Sequence, residues 1–174
     1  MVRRLSVRTT LRTAGVVAGL SGMLSLAAAW SLPLRADAPA AATTPLELTI
    51  VGGPGMNPNA QGRASPVVVR IFDLKSVRAF EAADYPALFE RPGEALKDDL
   101  VAQEEFVLRP GEIQHRDRIL GPQVRALGVA AAFREIDGAT WHLTVPVTPG
   151  RRNLLLIDLD ADKIRLPTVD PGRS

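Results

Sequence analysis

The sequence predicts a mainly β protein, an antiparallel β-sandwich of about eight strands with a short helical insertion. Apolar and polar residues alternate with a period of two from Leu46 onward, as they do in strands with one buried face. Turn-forming sequences separate these stretches at the spacing of a sandwich. Residues 76–99 lack the alternation and predict short helices. The sandwich domain is predicted to cover residues 46–167.

Two strands and the helical insertion make up the first half of this domain. Residues 46–50 alternate between aliphatic and polar side chains, which predicts a half-buried strand. Residues 67–72 predict the second strand, and Pro66 can precede it because the first residue of a strand need not donate to the ladder. Ser76 is a candidate N-cap for the first helical turn. Helical turns are predicted at three places: 76–80, 84–89 and 94–99.

The second half of the domain returns to strands. Residues 140–147 form the clearest amphipathic strand, because Trp141 and three aliphatic residues alternate with polar ones. The six predicted strands are 104–108, 113–120, 126–134, 140–147, 153–159 and 164–166. Turn signals separate them at 109–111, 137–138, 149–150 and 160–162.

The N-terminus, residues 1–35, predicts an export signal or a membrane anchor. Four arginines in the first twelve residues precede 22 uncharged residues, 13–34. A cationic start before an apolar stretch is the order of a secretory signal, and it keeps the first residues in the cytoplasm. The uncharged run also approaches the roughly 20 residues that span a bilayer. A cleaved signal, an uncleaved anchor and a buried core helix are the three alternatives.

Two further segments are predicted to have no regular structure. Residues 36–45 are rich in proline and alanine and predict an extended linker. Residues 168–174 predict a disordered tail.

Charge and cysteine content exclude several classes of function. The chain has 21 basic and 19 acidic residues. Residues 1–38 contain five of the basic and one of the acidic residues, so the remaining chain has 16 basic against 18 acidic residues. The basic pI therefore belongs to the N-terminus, and nucleic acid is not an expected partner. The chain has no cysteine, which excludes disulfides, a thiolate nucleophile and a Cys-ligated metal site.

Candidate catalytic residues are few, and the sequence predicts neither an enzyme nor a cofactor. His115 and His142 lie in predicted strands, and His142 is expected to point to solvent because its neighbours face the core. Ser65 lacks the Gly-x-Ser-x-Gly setting of a nucleophile elbow. The aspartates at alternate positions of 158–162 resemble the start of a calcium loop, but Lys163 stands where glycine is required, so a hairpin turn is expected.

The loop between the first two strands is the strongest candidate site. It spans residues 52–65, and loops of such length in compact domains are functional or disordered. Its side chains offer one adaptable apolar group, several amides and one guanidinium, which suits a protein interface. These candidate partner-binding residues are Met56, Asn57, Asn59, Gln61 and Arg63. The alternative is local: the two asparagines form Asx-turns and Gly62 supplies a positive φ.

Four motifs follow one another along the chain: Asn57-Pro58 with residues 62–70, Phe80 with residues 83–89, Leu108-Arg109-Pro110-Gly111, and Ala132-Phe133-Arg134 leading to Trp141. In this order they resemble the TssJ family, outer-membrane lipoproteins of the bacterial type VI secretion system. The similarity covers roughly residues 46–166, nearly all of the exported part.

The resemblance implies a transthyretin-like β-sandwich with an added helical element. It also implies a non-enzymatic role in which the protein binds the periplasmic C-terminal region of TssM and tethers the secretion membrane complex to the outer membrane. Family members use the first inter-strand loop for that contact. Here it corresponds to residues 52–65 with the five candidates above. Arg63 has an alternative role, which is to bond loop carbonyls and stabilise the fold.

This sequence departs from the family at one point. Typical members are lipidated on a cysteine just after the signal, and no cysteine occurs here. We therefore expect an exported, periplasmic protein that is not lipidated as written, on the outer-membrane side of the complex or anchored in the inner membrane. Three explanations remain open: an uncleaved inner-membrane anchor, a soluble periplasmic form held by its partner, and an upstream start.

Two other classes of function compete with the scaffold reading. The first is a periplasmic transthyretin-like carrier of small ligands, which only fold analogy suggests. The second is a periplasmic hydrolase that uses Ser65 and His115. The scaffold reading predicts no small-molecule substrate, and it predicts a membrane contact only if the N-terminal segment stays uncleaved.

Overall fold

The computed structural model describes residues 43–167. Within this range the chain forms eight strands: β1 (Thr44–Gly52), β2 (Val67–Leu74), β3 (Leu100–Leu108), β4 (Ile113–Leu120), β5 (Ala126–Ala131), β6 (His142–Pro146), β7 (Asn153–Asp160) and β8 (Lys163–Arg165). They form two four-stranded sheets, in the orders β4-β1-β7-β8 and β3-β2-β5-β6. The predicted fold class, a mainly β sandwich with a short helical insertion, is confirmed.

Most strand pairs are antiparallel, as predicted. The exception among the named strands is the pair β1 and β7, which run parallel. In the first sheet β1 also pairs antiparallel with β4, and β7 pairs antiparallel with β8. In the second sheet β2 lies between β3 and β5, and β5 continues to β6.

The two-residue alternation of the sequence builds the core between the sheets. Leu46, Leu48 and Ile50 of β1 are buried while their neighbours in β1 are more exposed, and Val69 and Ile71 of β2 are buried in the same core. Burying one such side chain contributes about 1.5–3 kcal/mol relative to leaving it in water. The alternation therefore fixes which face of each strand points inward.

Charged pairs connect the two sheets beside the edge strand β4: Arg118 of β4 pairs with Asp73 of β2, and Arg116 of β4 pairs with Glu104 of β3. The Arg118 guanidinium donates to both carboxylate oxygens of Asp73, at 2.8 and 2.6 Å. Burial raises the pKa of Asp73, and the nearby guanidinium opposes this rise. Arg116 donates to Glu104 at 2.7 Å and lies over the ring of Phe106. Paired charges at these edges also discourage pairing with strands of other chains.

A helical layer covers the outer face of the second sheet. It consists of α1 (Arg78–Ala82), α2 (Tyr85–Glu90), α3 (Pro92–Leu96) and a 3-10 turn at Lys97–Asp99. Phe80, Leu88 and Leu96 of this layer are buried against Phe72 and Leu74 of β2.

Polar contacts fix the ends of these short helices. The Asp84 carboxylate accepts from the Ala87 amide at 2.9 Å, so it caps α2. Arg70 of β2 donates to the last carbonyls of α2, at Leu88 and Phe89. The predicted cap at Ser76 is corrected: Val77 occupies the N-cap of α1 without a side-chain hydrogen bond, and Ser76 Oγ lies 3.3 Å from the Arg78 amide.

Several strand ends differ from the sequence prediction, including those of β6, which covers His142–Pro146 rather than 140–147. β1 begins at Thr44, inside the predicted linker, and β3 begins at Leu100 rather than at 104. Both extensions pair with a neighbouring strand, and such pairing outweighs local composition. β5 ends at Ala131 rather than at 134.

The predicted signal or anchor (1–35), the linker up to residue 42 and the predicted tail (168–174) lie outside the described residues. Within residues 43–167, no helix is both long enough and apolar enough to cross a bilayer.

The contact of β5 with α1 requires a glycine. A Cβ on Gly128 would lie 2.6 Å from Cε2 of the buried Phe80 ring. We expect Gly128→Ala to lower the free energy of unfolding by about 1–3 kcal/mol because it overpacks this contact. Urea denaturation measures the change.

The matched control is Gly93→Ala in α3, where an added Cβ has no atom within 4 Å. Alanine favours the helix, so this variant is expected to be neutral or more stable by up to about 1 kcal/mol. Equal denaturation midpoints for wild type and Gly128→Ala would contradict the packing of α1 on β5.

Candidate functional site

Four strand connections meet at one end of the sandwich, which we call the loop end. They are the β1–β2 loop (53–66), the β3–β4 turn (109–112), the β5–β6 loop (132–141) and the β7–β8 turn (161–162). Backbone hydrogen bonds join them at their bases: Gly52 donates to Glu112, and Gly53 to Leu159. The long loop predicted to be functional therefore lies in contact with other connections.

Asn57 links three of these connections. Its Nδ2 donates to the Pro66 carbonyl at 2.7 Å, within its own loop. Its Oδ1 accepts from the Arg134 amide of the β5–β6 loop at 2.9 Å. Its backbone amide donates to the Ala161 carbonyl of the β7–β8 turn at 2.7 Å. The side chain is only 3% exposed, so burial makes each of these partners costly to lose.

The backbone at Asn57 has a left-handed conformation, with φ of 48°. Asparagine adopts this region more readily than most residues, because its short amide can bond locally. Ala161, which accepts the hydrogen bond from Asn57, also has a positive φ of 49°. Two left-handed residues therefore meet where the β1–β2 loop contacts the β7–β8 turn.

The base of the β1–β2 loop is part of the core. Met56 is fully buried among the residues between the sheets. Its carbonyl accepts from the Ser65 amide at 3.0 Å, which closes the loop. Ser65 is buried, and its hydroxyl donates to the Arg63 carbonyl at 3.3 Å. Ser65 therefore satisfies backbone groups in the turn before Pro66.

The outer part of the loop is a compact Asx-turn. Asn59 Oδ1 accepts from the amides of Gln61 and Arg63, both at 3.0 Å. The Asn59 amide in turn donates to the Arg63 carbonyl at 2.8 Å. Gly62 has the expected positive φ, 74°. This hydrogen bonding fixes the backbone and leaves the side chains of Gln61 and Arg63 exposed at the surface.

The five predicted partner-binding residues therefore divide into two groups. Met56 and Asn57 are buried: Met56 fills the core, and Asn57 bonds Pro66 and Arg134 through its side chain and Ala161 through its backbone amide. Asn59, Gln61 and Arg63 remain predicted contact residues. Within the described residues, Arg63 makes its loop hydrogen bonds through its backbone, so its guanidinium does not bond loop carbonyls.

The sequence did not indicate several residues that surround this loop. A cleft of about 220 Å³ lies between Asn57-Pro58 and the two other connections, lined by Phe133, Glu135, Ala161 and Asp162. A wider depression of about 490 Å³ lies beside Pro58, lined by Asn59, Ala60, Arg134 and Glu135. Only the strand pairing brings these segments together, so no local motif predicts them.

Both histidines have structural environments. His142 is half-buried, with its ring 4.1 Å from that of Trp141 and 5.7 Å from that of Phe80. This corrects its expected position in solvent: the outer face of β6 lies under the helical layer. Burial lowers the pKa of His142, and the Glu81 carboxylate opposes this shift. His115 is exposed on β4, with Nδ1 3.1 Å from Thr49 Oγ1. Among residues 43–167, no three His, Asp or Glu side chains are grouped for a metal ion.

Comparisons with known proteins agree on one family. A family model described as "Type VI secretion lipoprotein, VasD, EvfM, TssJ" matches residues 44–162. The crystal structure of the T6SS lipoprotein TssJ1 from Pseudomonas aeruginosa is 40% identical, with a TM-score of 0.70, and the match covers 72% of this chain and 95% of that one. A search of the curated proteins finds no match.

Two further solved structures contain similar chains. One is described as "Type VI membrane complex", with 34% identity, a TM-score of 0.64, and coverage of 72% of this chain and 98% of that chain. The other is described as the T6SS protein TssM C-terminal domain from EAEC, with 32% identity, a TM-score of 0.61, and coverage of 72% and 99%.

The geometry predicts that Asn57 is essential for the stability of the loop end. Asn57→Ala removes both side-chain hydrogen bonds and places alanine at a positive φ. We expect it to lower the free energy of unfolding by about 2–4 kcal/mol. Asn57→Gly tolerates the backbone conformation, so it is expected to be less destabilised than Asn57→Ala. Urea denaturation of both variants tests this, and a wild-type midpoint for Asn57→Ala would contradict the assigned role.

Proposed function

The chain belongs to the TssJ family of type VI secretion lipoproteins, and we propose that it is a non-enzymatic structural subunit of the secretion membrane complex that binds the C-terminal region of TssM. The proposed contact is the loop end, through Asn59, Gln61 and Arg63. A chain with the same fold and 32% identity occurs in a structure described as the TssM C-terminal domain, which supports TssM as the partner.

One observation supports the loop end most strongly: its exposed side chains stand on a backbone that is already fixed. The Asx-turn at Asn59 and the three hydrogen bonds of Asn57 order the loop without a partner. Binding then costs little conformational entropy in the loop. A preorganised surface therefore binds more tightly for the same contacts. Gln61 and Arg63 are exposed and supply directional hydrogen bonds, and Arg is enriched at protein interfaces.

A role without catalysis agrees with the positions of the polar residues. Ser65 is buried and bonded to the Arg63 carbonyl, which disfavours its use as a nucleophile. His115 lies on the exposed outer face of β4 beside Thr49, whereas Ser65 lies in the β1–β2 loop. The described part of the chain therefore supplies no Ser-His pair of the kind that hydrolysis requires.

The carrier alternative receives no support from the interior of the sandwich. The space between the sheets is filled by apolar side chains, including Leu48, Val69 and Val129, which are 0–1% exposed. A ligand site for a small molecule usually requires a preformed cavity of about 300–1,000 Å³. The cleft of about 220 Å³ at the loop end is smaller, and the depression of about 490 Å³ beside it lies at the surface of the loops and not between the sheets.

We propose a periplasmic location for the sandwich domain. The arginine-rich start and uncharged segment of residues 1–35 support export, and the similarity to the TssJ family supports a contact with TssM in the periplasm. Residues 1–35 then serve as a signal or as an inner-membrane anchor. Intact-mass analysis of the protein from fractionated cells distinguishes the two, because only an anchor retains the full 18.7 kDa.

The contact with TssM is tested by titrating the purified chain with the TssM C-terminal domain from the same organism. We expect the double variant Gln61→Ala/Arg63→Ala to weaken binding by about tenfold or more, as truncation of contact residues at hot spots does. Arg78→Ala is the matched control, because it removes an exposed arginine from α1 in the helical layer instead.

The control is expected to bind TssM like the wild type. Circular dichroism and denaturation check that both variants keep the fold. Wild-type affinity of the double variant would reject the loop contact, and absence of saturable binding by the wild-type chain would reject the TssM assignment itself.

A further inference from the structure

Two neighbouring depressions lie at the loop end beside the proposed contact residues, and we call them together the groove. Its deeper half is the cleft of about 220 Å³, and its wider half is the depression of about 490 Å³. Both halves are lined by Pro58 and Glu135, so the two halves adjoin. The β1–β2 loop forms one wall, and the β5–β6 loop and the β7–β8 turn supply the other lining residues.

The deeper half of the groove is apolar at its base and polar at its edge. Phe133 is buried, with 4% of its surface exposed, and lines the cleft together with Pro58 and Ala161. Glu135 and Asp162 add carboxylates to the lining. An apolar centre with a polar rim is the usual anatomy of a protein interface.

The residues around the cleft are held rigidly. The Asn57 side chain bonds the Arg134 amide, and the Asn57 amide bonds the Ala161 carbonyl. The β1–β2 loop is therefore tied to both of the other connections. Ala161 keeps a positive φ although it has a Cβ, a conformation that is unfavourable for an L-residue. Such strain is typical of clamps that hold a ligand.

We propose that the partner inserts one aliphatic or aromatic side chain into this cleft, between Pro58 and Ala161. The inference rests on the proposed function, since it extends the contact from the exposed loop to the β5–β6 loop and the β7–β8 turn. The partner is a protein segment with an exposed apolar residue, flanked by polar groups that face the wider half near Arg134.

Size and position favour such an occupant over a free small molecule. An engineered apolar cavity of about 150 Å³ holds a benzene-sized group, so a cleft of about 220 Å³ is large enough for one side chain. The wider half extends past Asn59 and Ala60 toward the exposed turn that contains Gln61. An apolar residue anchored in a rigid pocket beside polar contacts is the arrangement of a binding hot spot.

The test fills the cleft from two different connections. Ala161→Leu adds bulk from the β7–β8 turn, and Ala82→Leu is its control because it adds the same bulk at an exposed position of α1. Glu135→Trp adds bulk from the β5–β6 loop, and Glu90→Trp is its control because it makes the same change at an exposed position of α2. All four are titrated with the TssM C-terminal domain after circular dichroism and thermal denaturation confirm the fold.

We expect both bulky variants to bind TssM at least tenfold more weakly than the wild type, and both controls to bind within threefold of it. Binding of the wild type together with unchanged affinity of both bulky variants would overturn the cleft assignment and leave the proposed function intact. A wild-type chain that does not bind TssM would reject the proposed function, and the cleft assignment with it.

A second copy of this chain is the competing occupant. Sedimentation of the wild type without TssM tests it directly. Concentration-dependent association that Ala161→Leu abolishes would assign the cleft to self-association and overturn the proposal. A monomeric wild type over the same concentration range supports a different protein as the occupant.

Discussion

The loop end depends on the hydrogen bonds of the buried residue Asn57, from both its side chain and its backbone. A loop of this length has a large conformational entropy, and polar backbone groups in it require partners. Asn57 meets both demands at one position. Its side chain bonds the Pro66 carbonyl and the Arg134 backbone amide, and its own backbone amide donates to the Ala161 carbonyl. The segments it joins come from both sheets, so the loop end is a single rigid surface.

The rest of the sandwich leaves this end available. The helical layer covers the outer face of the second sheet, with Arg70 fixing the end of α2. Ion pairs such as Asp73 with Arg118 close the side at β3 and β4. The outer face of the first sheet is the main competing surface, because Ile119 and Leu154 are 61% and 66% exposed there. Those aliphatic side chains lie among polar neighbours such as Glu47 and Asp117.

Local pattern was sufficient for most of the fold. Alternation along β1 follows directly from burial of one strand face, and the turn at Gly111 requires the positive φ that glycine supplies. The same reasoning failed where the burial of a side chain depends on contacts with segments distant in the sequence. His142 was expected in solvent because the sequence does not show that the helices cover β6.

In the candidate site, too, local hydrogen bonding could be predicted from the sequence, whereas contacts between distant segments could not. The sequence predicted the Asx-turn of Asn59, which acts over four residues, and the choice of this loop as the partner contact stays a prediction. The sequence did not show that Arg63 is exposed and Met56 is buried, because the burial of a loop residue depends on which distant segments pack against it. Arg134 and Ala161 lie 77 and about 100 residues from Asn57 along the chain, so only the sheet order brings them to it.

Hydrogen exchange of the full chain, with and without the TssM C-terminal domain, tests the central claim most directly because it reports every surface at once. The account predicts that TssM slows exchange in the β1–β2 loop, the β5–β6 loop and the β7–β8 turn, and that β4 and the N-terminal half of β7 exchange unchanged. Protection confined to β4 and β7, with the loop end unaffected, would show that the partner binds the exposed sheet face and would contradict the account.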